Sequence, residues 1–586
     1  MSVWLWAGVL LLGLLGGCAQ AAATEVAAAP TPAPTIEPED TLRIVYWQAP
    51  SLLNPHLSNT SRDLEVSRIA YEPLASFDRD GALVPFLAAE IPALGDGVAA
   101  DGRSVTWRLR QDVRWADGEP FTADDVRFTY QYITNPAVGS TSAGLYAGVA
   151  DVEVIDPYTV RILFRDVTPA WDVPFVGFQG MVLPEHVFAA YNGANAAAAP
   201  ANQLPLGTGP YYAVANEPQE VLFFGDTLVQ TNRILFMPNP EFRQAVAFDA
   251  VEIRGGGSSE EAARLVLQVD EADFAGSLTV TDALTELEGL GNGRLVVNFG
   301  SRVQRLALNQ TDPNRETAAG ERASLQFPHP FLSDLRVRQA ISLAIDRERI
   351  AALYGVAGKP TSNNLVVPPQ FASPNTAYAF DLDAAAALLD EAGWVDSDGD
   401  GIRDKDGVAL RLEYLTYIDT IVQATQDIIK LDLAKIGVFV DKNPVAASVF
   451  YAISPEPNPD NGPLFYADMA EYFIGMVSPD PASYLVYWTC GQIPQMANNW
   501  TAGLNFERWC NAEYDALYQQ ASTELDPARR RDLIIQMNDM LIAQVVMIPL
   551  VHVGEVSAVG ADIAGIDPTP WDSILWNIKD WRRSGP

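Results

Sequence analysis

Asp117-Gly118-Glu119-Pro120-Phe121-Thr122-Ala123-Asp124-Asp125-Val126 carries more structural information than any other stretch of comparable length in this 586-residue chain. Asp117-Gly118 marks a tight turn between strands. Thr122 stands where an N-cap belongs, Asp124 and Asp125 put negative charge into the first helical turn, and apolar residues at helical spacing continue to Tyr130. On either side the period changes to two: Val105-Thr106-Trp107-Arg108-Leu109-Arg110 and Val160-Arg161-Ile162-Leu163-Phe164 alternate as half-buried strands do. The region up to about residue 200 is therefore predicted to be α+β, with a substantial sheet and a surface helix starting at Thr122.

Outward from there, Arg43-Ile44-Val45-Tyr46-Trp47 reads as a strand, and Leu206-Gly207-Thr208-Gly209-Pro210-Tyr211 as a tight turn leading into another. Beyond residue 300 helices become more frequent. Asp334-Leu335-Arg336-Val337-Arg338-Gln339-Ala340 opens one, Leu382 to Ala392 forms a second that Gly393 stops, and Arg529 to Ala543 a third, before Val545 to Val551 turns strand-like. No short repeat of the solenoid or propeller kind is present.

Composition narrows the functions. Hydrophobic residues make up 48% and charged residues 19% of the chain, the profile of a large globular protein with two or three packed units. The 38 basic and 74 acidic residues leave a net charge of -36. Such a surface repels phosphate backbones, so nucleic-acid binding is excluded as a partner class. The four histidines His56, His186, His329 and His552 are scattered, with no spacing suited to zinc. There is no GxSxG elbow and no phosphate-binding glycine loop, which argues against the rival reading of a secreted hydrolase.

The N-terminus gives an address. Val3 to Leu15 is apolar and too short to span a bilayer, as in a signal peptide, and it ends in Leu15-Gly16-Gly17-Cys18. That pattern resembles the lipobox of bacterial lipoproteins, in which Cys18 would be lipidated, so residues 1–17 are expected to be a signal peptide. Residues 18–40, rich in Ala, Thr, Pro and Glu, read as a flexible tether. The expected location is outside the cytoplasm, at the cell membrane through a lipid anchor only. Cys490 and Cys510 are then an even pair in an oxidising compartment, expected as a disulfide rather than as two buried thiols.

One segment has a metal-like pattern. Asp396, Asp398, Asp400 and Asp404 fall at relative positions 1, 3, 5 and 9 of Asp396 to Gly407, with Gly401 at position 6, as in oxygen-rich calcium loops. Position 12 is Gly407, not the bidentate Glu. An Asp/Gly-rich surface hairpin is the plainer reading, and calcium would serve a structural role. No cofactor is required.

Together with Gly207-Thr208-Gly209-Pro210-Tyr211, Arg336 to Ala340 and Ala344-Ile345-Asp346-Arg347, the opening stretch resembles the bacterial extracellular solute-binding proteins of family 5, receptors for oligopeptides, dipeptides and nickel in ABC importers. Weaker echoes are Tyr71-Glu72-Pro73-Leu74, Trp509-Cys510-Asn511-Ala512-Glu513-Tyr514-Asp515 and Ile548-Pro549-Leu550. The resemblance implies an α/β, two-lobed class II periplasmic-binding fold with an extra α+β domain inserted in the first lobe. Lobe one would be 41–72 with 200–305 and 546–586, the extra domain 73–199, and lobe two 306–545. Hinge crossings would lie near Leu306 to Asn309 and Met547 to Val551.

By the same resemblance the protein would be a monomeric, non-enzymatic receptor that captures peptides and delivers them to ABC permease subunits, with oligosaccharide as the alternative ligand. Family members hold the peptide amine with an Asp whose position here is Val477, and the accompanying Trp position is Ile474. Asp480, three residues on, is the expected substitute, with Tyr484 and Trp488 as ligand-stacking aromatics. A ligand lacking a free amine is the other explanation for the departure.

Overall fold

A computed structural model describes residues 38–585 except 59, 225–226, 453–460, 463, 465, 477 and 499–502. Cys18, the signal and tether segments up to residue 37, and Val477 lie outside the described residues. The strand Thr41–Tyr46 shows how the sequence builds the first layer. Leu42, Ile44 and Tyr46 point into one core while Val45 enters a separate core on the other face, as the two-residue period demands of a strand covered on both sides. It pairs in parallel with Ala250–Gly255 and Phe274–Leu278. These form the centre of a seven-stranded sheet ordered Gly293–Asn298, Glu555–Gly560, Phe274–Leu278, Thr41–Tyr46, Ala250–Gly255, Thr227–Pro238, Tyr211–Phe224.

A second, six-stranded sheet runs Gly358–Pro360, Met547–Val553, Val303–Leu308, Met469–Ile474, Arg411–Tyr417, Phe439–Val445. The helices Leu335–Leu343, Leu382–Glu391 and Thr420–Ala434 pack on it around Leu306, Leu308, Ile341, Leu389 and Ile429. All three have an aspartate N-cap, Asp334, Asp381 and Asp419, accepting backbone N–H bonds. The two sheets are the cores of two lobes.

The stretch Asp117 to Val126 belongs to an inserted unit with its own five-stranded sheet, in which Ser104–Arg108 and Thr159–Phe164 pair antiparallel. Its helix is Ala123–Thr134, opened by a capping box: Thr122 N–H donates to Asp125 at 2.9 Å and Thr122 Oγ1 accepts from Asp124 N–H at 3.3 Å. Asp125 also accepts from Glu185 N–H at 3.0 Å. It thus joins the helix start to the segment that closes the unit.

Two other quoted motifs prove to be packing devices. A Cβ on Gly207 would stand 1.8 Å from the carbonyl oxygen of Ala70, and one on Gly209 2.6 Å from it. The glycines therefore let this loop lie against the end of helix Ser61–Ala70. Arg338 donates to the carbonyls of Leu332, Gln544 and Val545, which places its positive charge at the C-terminal end of helix Pro527–Ala543.

The chain passes between the sheets twice, and the crossings differ from expectation. Val303–Leu308 and Met547–Val553 are strands inside the six-stranded sheet, bonded to one another and to their neighbours. Leu306 to Asn309 and Met547 to Val551 are therefore held in lobe two. The crossings lie at Phe299 to Arg302 and at Gly554, between the ladders. Gly554 is required there, because an added Cβ would stand 2.4 Å from Val297 Cγ1.

Candidate ligand-binding cleft

In open α/β sheets ligands meet the carboxyl ends of parallel strands. Here the end of Thr41–Tyr46 presents Trp47, the end of Phe274–Leu278 presents Thr279 and Val280, and the end of Arg411–Tyr417 presents Asp419 from the opposite lobe. These residues line one cavity of about 380 Å³ beside the crossings, completed by Arg302, Tyr354 and Glu555. Lobe one and lobe two both contribute walls, so a ligand here would touch both.

The electrostatics are mixed. Tyr46 donates its hydroxyl to Glu65 at 2.7 Å, and Ser277 Oγ donates to the same carboxylate at 3.4 Å. Burial, reinforced by Glu555, pushes the Glu65 carboxyl up to about 7. Glu555 is exposed to solvent at the cavity mouth; the protein crowded around it raises its carboxyl, and Arg302 pulls it back toward the ordinary range. The Arg62 guanidinium lies 5.1 Å from the Trp47 ring centre and that of Arg302 lies 3.9 Å from the Phe473 ring centre.

A second cavity, about 340 Å³, separates the inserted unit from lobe two and is lined by Leu145, Phe164, Thr168, Ser478, Asp480 and Ser483 among others. Asp480 touches it but is already committed. Both of its oxygens accept from Arg530, at 2.5 and 2.8 Å, and one also accepts from Ala482 N–H at 2.8 Å. It therefore anchors its own loop to helix Pro527–Ala543, which corrects the expectation that it is free to hold a ligand amine. Tyr484 and Trp488 are 2% and 1% exposed and pack with Leu485, Trp509 and Met537. Tyr484 also bonds Arg305 at 2.7 Å. These rings belong to the lobe-two interior instead of offering faces for stacking.

Cys490 and Cys510 are bonded, with Cα atoms 4.7 Å apart. The carboxylates of Asp396, Asp398 and Asp400 converge, each offering an oxygen within 4.8 Å of the others. Asp404 is turned away into a short hairpin with Ala409, and its carboxylate accepts from Ser397 Oγ and N–H. The four-carboxylate set is thus reduced to three.

The cavity residues Arg302, Tyr354, Asp419 and Glu555 escaped sequence reading. Trp47 was within reach, because it ends a readable strand and strand ends are where α/β sheets bind ligands. Arg302 and Glu555 owe their position to crossings whose registers no local pattern reveals.

Two α/β lobes joined by paired crossings, with a cavity walled by both, have the architecture of a solute-binding receptor. Residues 82–493 match the family described as bacterial extracellular solute-binding proteins, family 5, middle region, and the chain belongs to that family. It is a substrate-binding receptor of the ABC transporter class, whose members work outside the cytoplasm. Di/tripeptide-binding protein 1 of Pseudomonas aeruginosa is 23% identical over 550 residues, 86% of this chain and 87% of that protein. The nickel-binding periplasmic protein of Escherichia coli is 25% identical, covering 68% of this chain and 70% of its own length. An ABC transporter substrate-binding protein of Listeria monocytogenes shares the fold with a TM-score of 0.74 at 20% identity, over 94% of this chain and all of that one. Among the described residues no helix is long and apolar enough to cross a membrane.

Proposed function

We propose that this receptor captures peptides between its lobes and delivers them to the membrane subunits of an ABC importer. The observation that carries the peptide reading is the cavity at the crossings, where aromatic walls stand beside groups of both charge signs, Arg302 and Glu555. Peptides offer both charges and an amphipathic body, and closure is favoured by contacts that exist only when both lobes touch the ligand. Di/tripeptide-binding protein 1 of Pseudomonas aeruginosa supports the same class.

Cys18 would carry the lipid that keeps the receptor near its permease, and the protein would act as a monomer. Asp396, Asp398 and Asp400 read first as a surface hairpin turn, and the alternative is that they hold structural calcium, with Asp404 serving the turn. Titrating calcium into chelator-treated protein tests this, and absence of heat at millimolar calcium removes it. For the main reading, a thermal-shift screen against peptide and oligosaccharide pools is decisive. Stabilisation by peptides supports it, and stabilisation by oligosaccharides alone overturns it.

A further inference from the structure

The two lobes also meet at a second place, away from the crossings. The N–H of Leu365 donates to Asn538 of helix Pro527–Ala543 at 3.2 Å, which holds the loop after strand Gly358–Pro360 in lobe two. The next residues leave that lobe: Val367 is buried in the core of the inserted unit, with Val366 and Met476 packed against it. Pro368 lies on the turn at Gly81, where an added Cβ would stand 3.3 Å from its own Cβ. Leu525, between helices Ala512–Ala521 and Pro527–Ala543, closes on Gly102 so tightly that a Cβ there would stand 2.8 Å from its Cδ2. The inserted unit branches from lobe one between helix Ser61–Ala70 and strand Tyr211–Phe224, so these contacts part when the lobes separate.

Charge enters the same junction. Asp172 of the inserted unit lines a small cavity together with Ser478 and Pro479 of lobe two, and the lobe-two charges that act on it are Asp480 and Arg530. Arg530 is committed to Asp480 by two hydrogen bonds. Arg165 and Asp166 of the inserted unit line the adjoining cavity, where Arg165 donates to the Ala147 carbonyl at 3.3 Å. Tyr518, on helix Ala512–Ala521, also stands near the ion pair. Among the described residues no side chain donates a hydrogen bond to the Asp172 carboxylate.

One guanidinium thus stands against two carboxylates, and an ionised Asp172 is repelled by Asp480 as the surfaces meet. We propose that this junction is a proton-sensitive clasp: Val367 supplies its apolar contact, and proton uptake by Asp172 removes the repulsion that otherwise opposes it. Asp172 is half-buried. The protein crowded around it, and then Asp480, raise its carboxyl to about 7, while Arg530 pulls it down. With the lobes apart Asp172 faces water and loses Asp480 as a neighbour, so the joined form holds the proton more tightly. Joining is therefore favoured as pH falls through about 7, and that gain is lost above it. The clasp biases closure without touching the ligand, so it goes beyond the peptide reading and does not depend on it.

The test is double electron–electron resonance on protein unfolded and refolded to strip any ligand, with one spin label on an exposed position of the inserted unit and one on lobe two. Wild type should show a several-fold larger ratio of short to long distances at pH 6 than at pH 8. Asp172→Asn should keep the acidic ratio at both pH values, and Asp172→Glu should keep the wild-type dependence. Val367→Ser, which loosens the apolar contact without changing a titratable group, should lower the ratio at both pH values by the same factor. A wild type with one distribution at both pH values would overturn the clasp. So would a pH dependence in Asp172→Asn equal to that of wild type, or wild-type ratios in Val367→Ser.

Discussion

Arg530 grips Asp480 with two hydrogen bonds, at 2.5 and 2.8 Å, inside lobe two. Both side chains are less than a tenth exposed. The pair ties the loop after strand Met469–Ile474 to helix Pro527–Ala543 and commits both carboxylate oxygens to Arg530.

Replacing Asp480 by Asn should therefore act on stability. Removing one partner of a buried ion pair costs about 3–5 kcal/mol, which would appear as a lower denaturation midpoint. Among folded molecules, affinity for free and N-acetylated peptides should change by the same factor. A selective loss for peptides with a free amine would restore Asp480 to the site.

Glu471 is fully buried, accepting from Tyr414 at 2.6 Å and Gln304 at 2.9 Å. Burial raises its carboxyl to about 8. Its folded value exceeds its unfolded value, so its favourable contribution is complete below the ordinary carboxylate range and is lost as pH rises through about 8. Urea denaturation from pH 5 to 9 should show stability falling with pH. Glu471→Gln should flatten that slope in part, since Glu65, raised to about 7, titrates in the same window. An unchanged slope would exclude Glu471 as a contributor.

Gly554 forms the whole of the second crossing between sheets. In Gly554→Ala the new methyl would fall 2.4 Å from Val297 Cγ1 and 3.3 Å from the Phe299 ring. Overpacking of this kind costs about 1–3 kcal/mol. Because the strain is at the hinge, ligand affinity should fall as well. A variant with wild-type melting and binding would show that the crossing relaxes freely.

The legible parts of the sequence were those governed by local rules. Thr122 and Asp125 form their capping box, Asp334 starts its helix, and Ser104–Arg108 pairs with Thr159–Phe164. The count of cysteines left in an exported chain also gave Cys490 and Cys510 as a bonded pair. The family resemblance placed the crossings several residues away from where they lie, and local rules could not correct it, because Met547–Val553 looks like one apolar strand whichever sheet receives it. The resemblance also gave Asp480, Tyr484 and Trp488 as ligand residues, and local rules could not show that all three are packed inside lobe two. Their partners Arg530 and Arg305 lie 50 and 179 residues away in the chain from Asp480 and Tyr484, and Trp488 is buried among residues as distant as Met537. No periodicity carries information over such separations.

Peptide capture is most directly tested by isothermal titration of protein first unfolded and refolded to strip any bound ligand. A mixed di- and tripeptide pool should give saturable heat at one site per chain, with a negative heat-capacity change from apolar burial at closure. No heat from peptides of any length, with saturable heat from oligosaccharides, would contradict it.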